Sequence, residues 1–147
     1  MAFYTNVDAT KKFRLGTRIK DKGNEYIYLQ GVASVVDGDW VVFDHLHVTT
    51  RAIADEQGRV GIANAAVDAT TKFGWFTIYG VEDGLCLASF DGTNGAGVWL
   101  TSTAGSVDDT EVAGDAVVGA IGRTDRDATT GMAKFELNYP CVLDHVV

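Results

Sequence analysis

The chain has a single proline, Pro140, among 147 residues, and only two cysteines, Cys86 and Cys141. With so little proline and 17 glycines, its turns must be made largely by glycine, which suits many short strands. The two cysteines lie far apart, one in an expected strand and one after the proline. They read as buried free thiols of a protein made in a reducing cytosol, with one disulfide as the open alternative. No run of about 18 apolar residues occurs, so no membrane-spanning helix is expected. The opening Met1–Asn6 lacks the basic-then-apolar order of a signal peptide. Positive charge is also scarce: 12 Lys and Arg face 20 Asp and Glu, a net charge of −8. That balance argues against nucleic acid as a direct partner, because phosphate binding runs on cations.

The charge that is present is segregated. Residues 1–30 carry six basic side chains (Lys11, Lys12, Arg14, Arg18, Lys20, Lys22) against three acids, whereas residues 31–147 carry six against seventeen. A cationic head thus precedes an anionic body. The head reads either as a solvated basic loop or as a surface steered toward an acidic partner, a sister subunit or another protein. Residues 1–12 show no strand alternation and no helical stripe, yet with Phe13 they carry spaced aromatics. Phe3, Tyr4, Lys11, Lys12, Phe13 and Arg14 are accordingly expected to form a partner-binding strap. The alternative is a terminus that folds back on its own domain or frays.

Hydrophobic residues make up 46% of the chain and charged residues 22%, so a packed core is expected. A chain of this length forms one domain by default, here residues 14–147 after the arm. The organising stretch is Phe73–Val81, FGWFTIYGV. At a two-residue period both of its faces are largely apolar, which places it centrally in the fold or under a partner. The Glu82-Asp83-Gly84 that follows, before the apolar Leu85–Ala88, reads as a hairpin link. Other expected strands are Phe13–Ile19, Glu25–Gln30, Val32–Val36, Trp40–Phe43, His47–Ile53, Arg59–Val67, Val98–Thr101, Asp115–Thr124 and Met132–Tyr139. Turn clusters fall at Lys20–Asn24 and Asp37–Asp39. Eight to ten short strands without a long helical pattern predict an all-β barrel or sandwich carrying an extended N-terminal arm. Val7–Phe13 (VDATKKF) resembles Val67–Phe73 (VDATTKF), two similar lead-ins rather than a solenoid period.

Chemistry-bearing patterns are few. His45-Leu46-His47 puts two imidazoles on one face of an extended strand, but zinc needs three or four ligands and His145 is remote, so a structural role is the better reading. Asp125–Gly131 loosely resembles a calcium loop, with its glycine one place late and no closing glutamate. Gly92–Gly97 has the wrong spacing for a dinucleotide fingerprint, and no serine sits in a nucleophile elbow. No cofactor and no catalytic residue is assigned. Trp40, Trp75 and Trp99 fall in apolar strands, where core or subunit interface outweighs a sugar-binding face. Trp75, Tyr79 and Trp99 are expected at an oligomer interface.

Leu15-Gly16-Thr17 ahead of Tyr26–Gln30, then Trp40–Asp44 (WVVFD), Arg59–Ala63 (RVGIA), and Phe73-Gly74-Trp75 running to Ile78-Tyr79-Gly80 form an ordered set. With Leu100–Asp109 and Leu137-Asn138-Tyr139-Pro140, the set resembles a family of small tailed-bacteriophage structural proteins that includes capsid decoration (cement) proteins. The likeness spans about residues 14–140 and leaves the basic, aromatic arm outside it. It implies an all-β fold, no enzymatic activity, and binding to the outside of an icosahedral head, often as trimers. The expected partners are therefore the major capsid protein and further copies of the chain, and the expected location is the virion surface. The alternatives are a tail or head–tail component, a carbohydrate-binding β module, or a small hydrolase with a spatially assembled site.

Overall fold

The computed structural model describes residues 3–143. After a 3₁₀ turn at Phe3–Thr5 come eleven strands. They are β1 (Val7–Asp8), β2 (Arg18–Asp21), β3 (Asn24–Gln30), β4 (Trp40–Phe43), β5 (Thr49–Arg51), β6 (Gly58–Ala63), β7 (Phe73–Leu85), β8 (Trp99–Leu100), β9 (Val107–Asp108), β10 (Val118–Gly122) and β11 (Met132–Val142). The fold is all-β. Nine strands form one curled sheet in the order β2-β3-β7-β11-β6-β4-β5, with β1 on β7 and β10 on β11, and β8-β9 makes a second small sheet. The curl closes because β6 pairs with β11 at one end (Arg59 opposite Cys141) and with β7 at the other (Ile62 opposite Thr77).

Strands greasy on both sides are buried on both sides. In β3, Ile27 and Leu29 enter one cluster with Phe76, Ile78, Val41 and Phe43, while Tyr26 and Tyr28 enter another with Trp75. In β4, Trp40 and Val42 turn the other way, into the largest cluster with Ile62, Phe90 and Phe135. Residues Gly74–Ile78 of β7 are all buried, so the organising stretch is central, and its cover comes from its own chain. The expected turn at Lys20–Asn24 is a two-residue hairpin whose Lys22 and Gly23 both have positive φ (50° and 87°), the backbone that matches strand twist.

Several expectations change. Glu82-Asp83-Gly84 is not a hairpin link; β7 runs straight through to Leu85 and pairs with β11 from Tyr79 to Leu85. Glycine is needed at 84 because the Trp40 indole lies against it, 2.7 Å from where a Cβ would sit, and the indole N–H donates to Leu85 O at 3.1 Å. Glu82 sits opposite Phe135 and accepts the Thr77 hydroxyl at 3.0 Å, while burial pushes its carboxyl above the ordinary range. Val32–Val36 is a loop, His47–Ile53 contributes only the three residues of β5, and Phe13–Ile19 becomes strand only from Arg18.

The arm does not reach away from the domain. Phe3 packs edge-on against Tyr26 and Trp75 (both centroids 5.5 Å), and Tyr4 stacks on Tyr26 at 4.7 Å. Phe13 packs against Tyr28 and Trp75 at 5.3 and 5.4 Å. Buried Asp8 accepts the Tyr28 hydroxyl at 2.7 Å and pairs with Lys12 at 3.3 Å. Burial, reinforced by that carboxylate, pushes the Tyr28 phenol up to about 12. The near-repeat has a structural meaning here. Asp68 and Lys72 make the same i,i+4 pair at 2.8 Å, and Phe13 and Phe73 both pack against Tyr28. Tyr28→Phe is expected to cost about 2 kcal/mol in urea unfolding, since a bond to a buried carboxylate is lost.

Candidate docking site

Four of the six strap residues are thereby placed on the chain's own surface: Phe3, Tyr4 and Phe13 as a lid, and Lys12 as a tie to Asp8. Lys11 and Arg14 remain exposed beside it. Trp75 is corrected most: at 3% exposure under this lid it does not reach the surface. Trp99 is half-buried on β8, in the other sheet, against Gly97. Trp40 is fully buried. Tyr79 alone of the three expected interface residues is open, at 42%.

Tyr79 is open because the cover runs out at that point. The β3–β7 register shifts between Glu25 and Tyr26, and β3 stops pairing at Tyr79. The Asn24 side chain continues the ladder in its place, accepting from Val81 N at 3.1 Å and donating to Val81 O at 3.0 Å. Its amide occupies the space where residue 80 would carry a Cβ, and φ there is +104°, so only glycine fits. Beyond this clamp the outward side chains of β7 face solvent. Tyr79 and Val81, with Ile121 and Val118 of β10 and Tyr139 of β11, are each 40–51% exposed.

These residues make up a ledge crossed by β11: Val81 and Ile121 lie on either side of Glu136, and Val118 stands farther along β10, opposite Cys141. Tyr79 and Tyr139 pack ring against ring at 5.2 Å, while Tyr79, Val81 and Ile121 line one depression of about 410 Å³. A second, of about 460 Å³, lies between Tyr79, Tyr139 and the β2–β3 hairpin. A third, of about 170 Å³, opens past Tyr139 between Arg18 and Arg59. The charges on the ledge are paired: Arg123 with Glu136, between Val81 and Ile121, at 2.8 Å, and Lys134 with Asp83 at 3.0 Å. Large apolar side chains exposed together among paired charges mark a protein-binding patch.

Tyr139 is the pivot. There β11 leaves β7, turns through Pro140 and joins β6 at Cys141. Its φ is +48°, a left-handed conformation that is costly for a bulky residue, on the order of 1–3 kcal/mol. The hydroxyl donates to Glu25 Oε1 at 2.7 Å, and this carboxylate holds the phenol above its usual range. Glu25 also pairs with Arg18 at 3.6 Å. Sequence reasoning gives Tyr139 no role. Its one visible signal is a tyrosine preceding the chain's sole proline.

No family model, no curated protein and no solved structure matches the chain.

The remaining candidates resolve into local structure. His45 and His47 do not share an extended strand. Asp44 caps a tight turn by accepting from Leu46 N and Val48 N at 3.0 and 3.1 Å, and His47, at φ +63°, stacks over Phe43. His145 lies outside the described residues. In Asp125–Gly131, Asp125 accepts the hydroxyl of Thr93 from a separate loop, and Asp127 accepts Thr129 N inside its own turn. Among the described residues no three His, Cys, Asp or Glu converge as metal ligands. Cys86 and Cys141 are free thiols, and burial pushes Cys86 up to about 11, far from reactive.

Proposed function

We propose that the protein is a non-enzymatic virion component of a tailed bacteriophage. It acts as a decoration protein that binds the outside of the head and holds adjacent major capsid subunits together. The single observation that carries this reading is the ledge of Tyr79, Val81, Val118, Ile121 and Tyr139. It lies on a domain whose clusters are already complete without it. Tyr139 is tied to Glu25, but nothing internal requires Tyr79, Val81, Val118 and Ile121 to be large and apolar there, whereas a surface that must stick to a lattice does. The ordered likeness of residues 14–140 to decoration proteins supports the same reading. The mode of action is burial of apolar area against capsid subunits and against further copies of the chain, a trimer being the arrangement proposed. The protein would be made in the host cytoplasm and end on the capsid surface.

The test uses heads of the parent phage stripped of the protein. Added back, the purified chain should co-sediment with them at a fixed stoichiometry and raise their resistance to heat. Heads that neither bind it nor gain heat resistance would overturn the assignment.

A further inference from the structure

We propose that the cleft between Arg18 and Arg59 is a receptor for one acidic side chain of the protein's docking partner, an inference that rests on the docking role argued above. The cleft sits at the junction where β11 leaves β7 for β6, and Tyr139 forms both its wall and the edge of the ledge. Its floor is apolar, made by Ile78, Val60 and Pro140. Its mouth is cationic. The Arg59 guanidinium lies 4.7 Å over the Phe43 ring, and the Arg18 guanidinium lies 6.0 Å over the Tyr139 ring. Phe43 is 3% exposed, so the platform under Arg59 is fixed by the core.

The two cations differ in how far they are neutralised. Arg18 already faces Glu25, whose carboxylate is also held by Tyr139. Arg59 has no ion-pair partner among the described residues. Asp44, the nearby acid, is committed to its own turn. The local field is positive enough to register on His47. Its imidazole is held below the ordinary range first by burial and then by Arg59, with Arg18 and Arg14 adding to the effect and Asp44 opposing it. A positive mouth on a chain of net charge −8 selects an anion locally while the whole molecule repels a polyanion.

Size selects the kind of anion. Free small molecules occupy pockets of roughly 300–1,000 Å³. At about 170 Å³ the cleft has room for one side chain. A glutamate or aspartate fits both halves of the site, with methylene against Ile78 and Pro140 and carboxylate between the guanidiniums, where charge-assisted bonds form. On a docking surface such a residue is an anchor that sets orientation beside the less directional ledge.

Isotope-labelled full-length protein titrated with N-acetyl-glutamate N-methylamide should show shifts confined to Arg18, Arg59, Ile78 and their neighbours. The glutamine analogue should bind at least tenfold more weakly, and Arg59→Gln should lose the glutamate response by a similar factor. Equal response to the glutamine analogue, or equally tight binding of inorganic phosphate, overturns the proposal. With stripped heads, Arg59→Gln at unchanged melting temperature should bind at least tenfold more weakly than wild type and with less salt dependence. Wild-type affinity of that variant overturns the acidic anchor and leaves the docking role standing. Failure of wild type itself to bind heads, with the glutamate titration intact, supports the cleft and removes the capsid as its partner.

Discussion

Arg51→Ala should destabilise the fold by about 3–5 kcal/mol, a large part of the roughly 5–15 kcal/mol that holds a domain together. The reason is Asp39, which is fully buried at the entry to β4. Arg51 on β5 clamps its carboxylate with two bonds, Nε to Oδ2 at 2.8 Å and Nη2 to Oδ1 at 3.2 Å. Val36 N also donates to that carboxylate, at 3.1 Å. Gly105 packs against the carboxylate so closely that a side chain there would displace it. Removing the guanidinium leaves a buried charge held by a neutral backbone donor. The melting temperature should fall by roughly 10–15 °C, with the denaturant slope unchanged if the native state keeps its area. The paired change Asp39→Asn with Arg51→Met separates charge from packing. The asparagine amide can still accept from Val36 N, and the methionine can keep much of the hydrophobic stem. The double variant should therefore be more stable than Arg51→Ala alone. An Arg51→Ala variant within 1 kcal/mol of wild type in chemical denaturation, well under the roughly 3–5 kcal/mol of a broken buried pair, would remove the argument.

That ion pair also marks where sequence stops being informative. The tight turn at Asp37–Asp39 is legible, because glycine at 38 supplies the positive φ of 89°. The partner of Asp39 is not, because Arg51 reaches it only once β5 has paired with β4. The same division runs through the whole fold. β3, β4 and the first half of β7 can be read from YIYL, WVVF and GWFTI, since a strand apolar on both faces must be interior. Local chemistry misleads where a tertiary contact gives a residue a second use. Gly84 looks like a turn glycine and is a notch for Trp40. His45-Leu46-His47 looks like a strand, and Asp44 bends it. The aromatic arm looks like a strap for a partner, yet its nearest partners are Tyr26, Tyr28 and Trp75 of the same chain. The ledge is half legible. Tyr79 stands out in an apolar strand, but Val81, Ile121 and Tyr139 join it only through the pairing of β7, β11 and β10.

Substituting Val81→Gln together with Ile121→Gln should weaken binding to stripped heads by roughly a hundredfold or more while leaving the isolated domain folded. Both positions are outward, 51% and 40% exposed, so little core packing is lost. Both also sit opposite Glu136 across the sheet, and a neutral amide confronts that carboxylate with no new charge. A bound partner would cover what is now open. Burying a Val or Ile side chain contributes about 1.5–3 kcal/mol, and an amide forced under the same cover without a partner costs about 1–3 kcal/mol instead. Two such sites together exceed the roughly 3 kcal/mol that separates tight binding from a hundredfold weaker one. Asn24 offers an independent route to the same surface. Asn24→Ala removes both bonds to the Val81 backbone and lets the ledge move, so it should lower affinity with no change in the ledge's composition. If the double glutamine variant sediments with heads as wild type does, the apolar ledge is not what grips them. If only the Asn24 variant fails, the geometry of the surface matters more than its hydrophobicity.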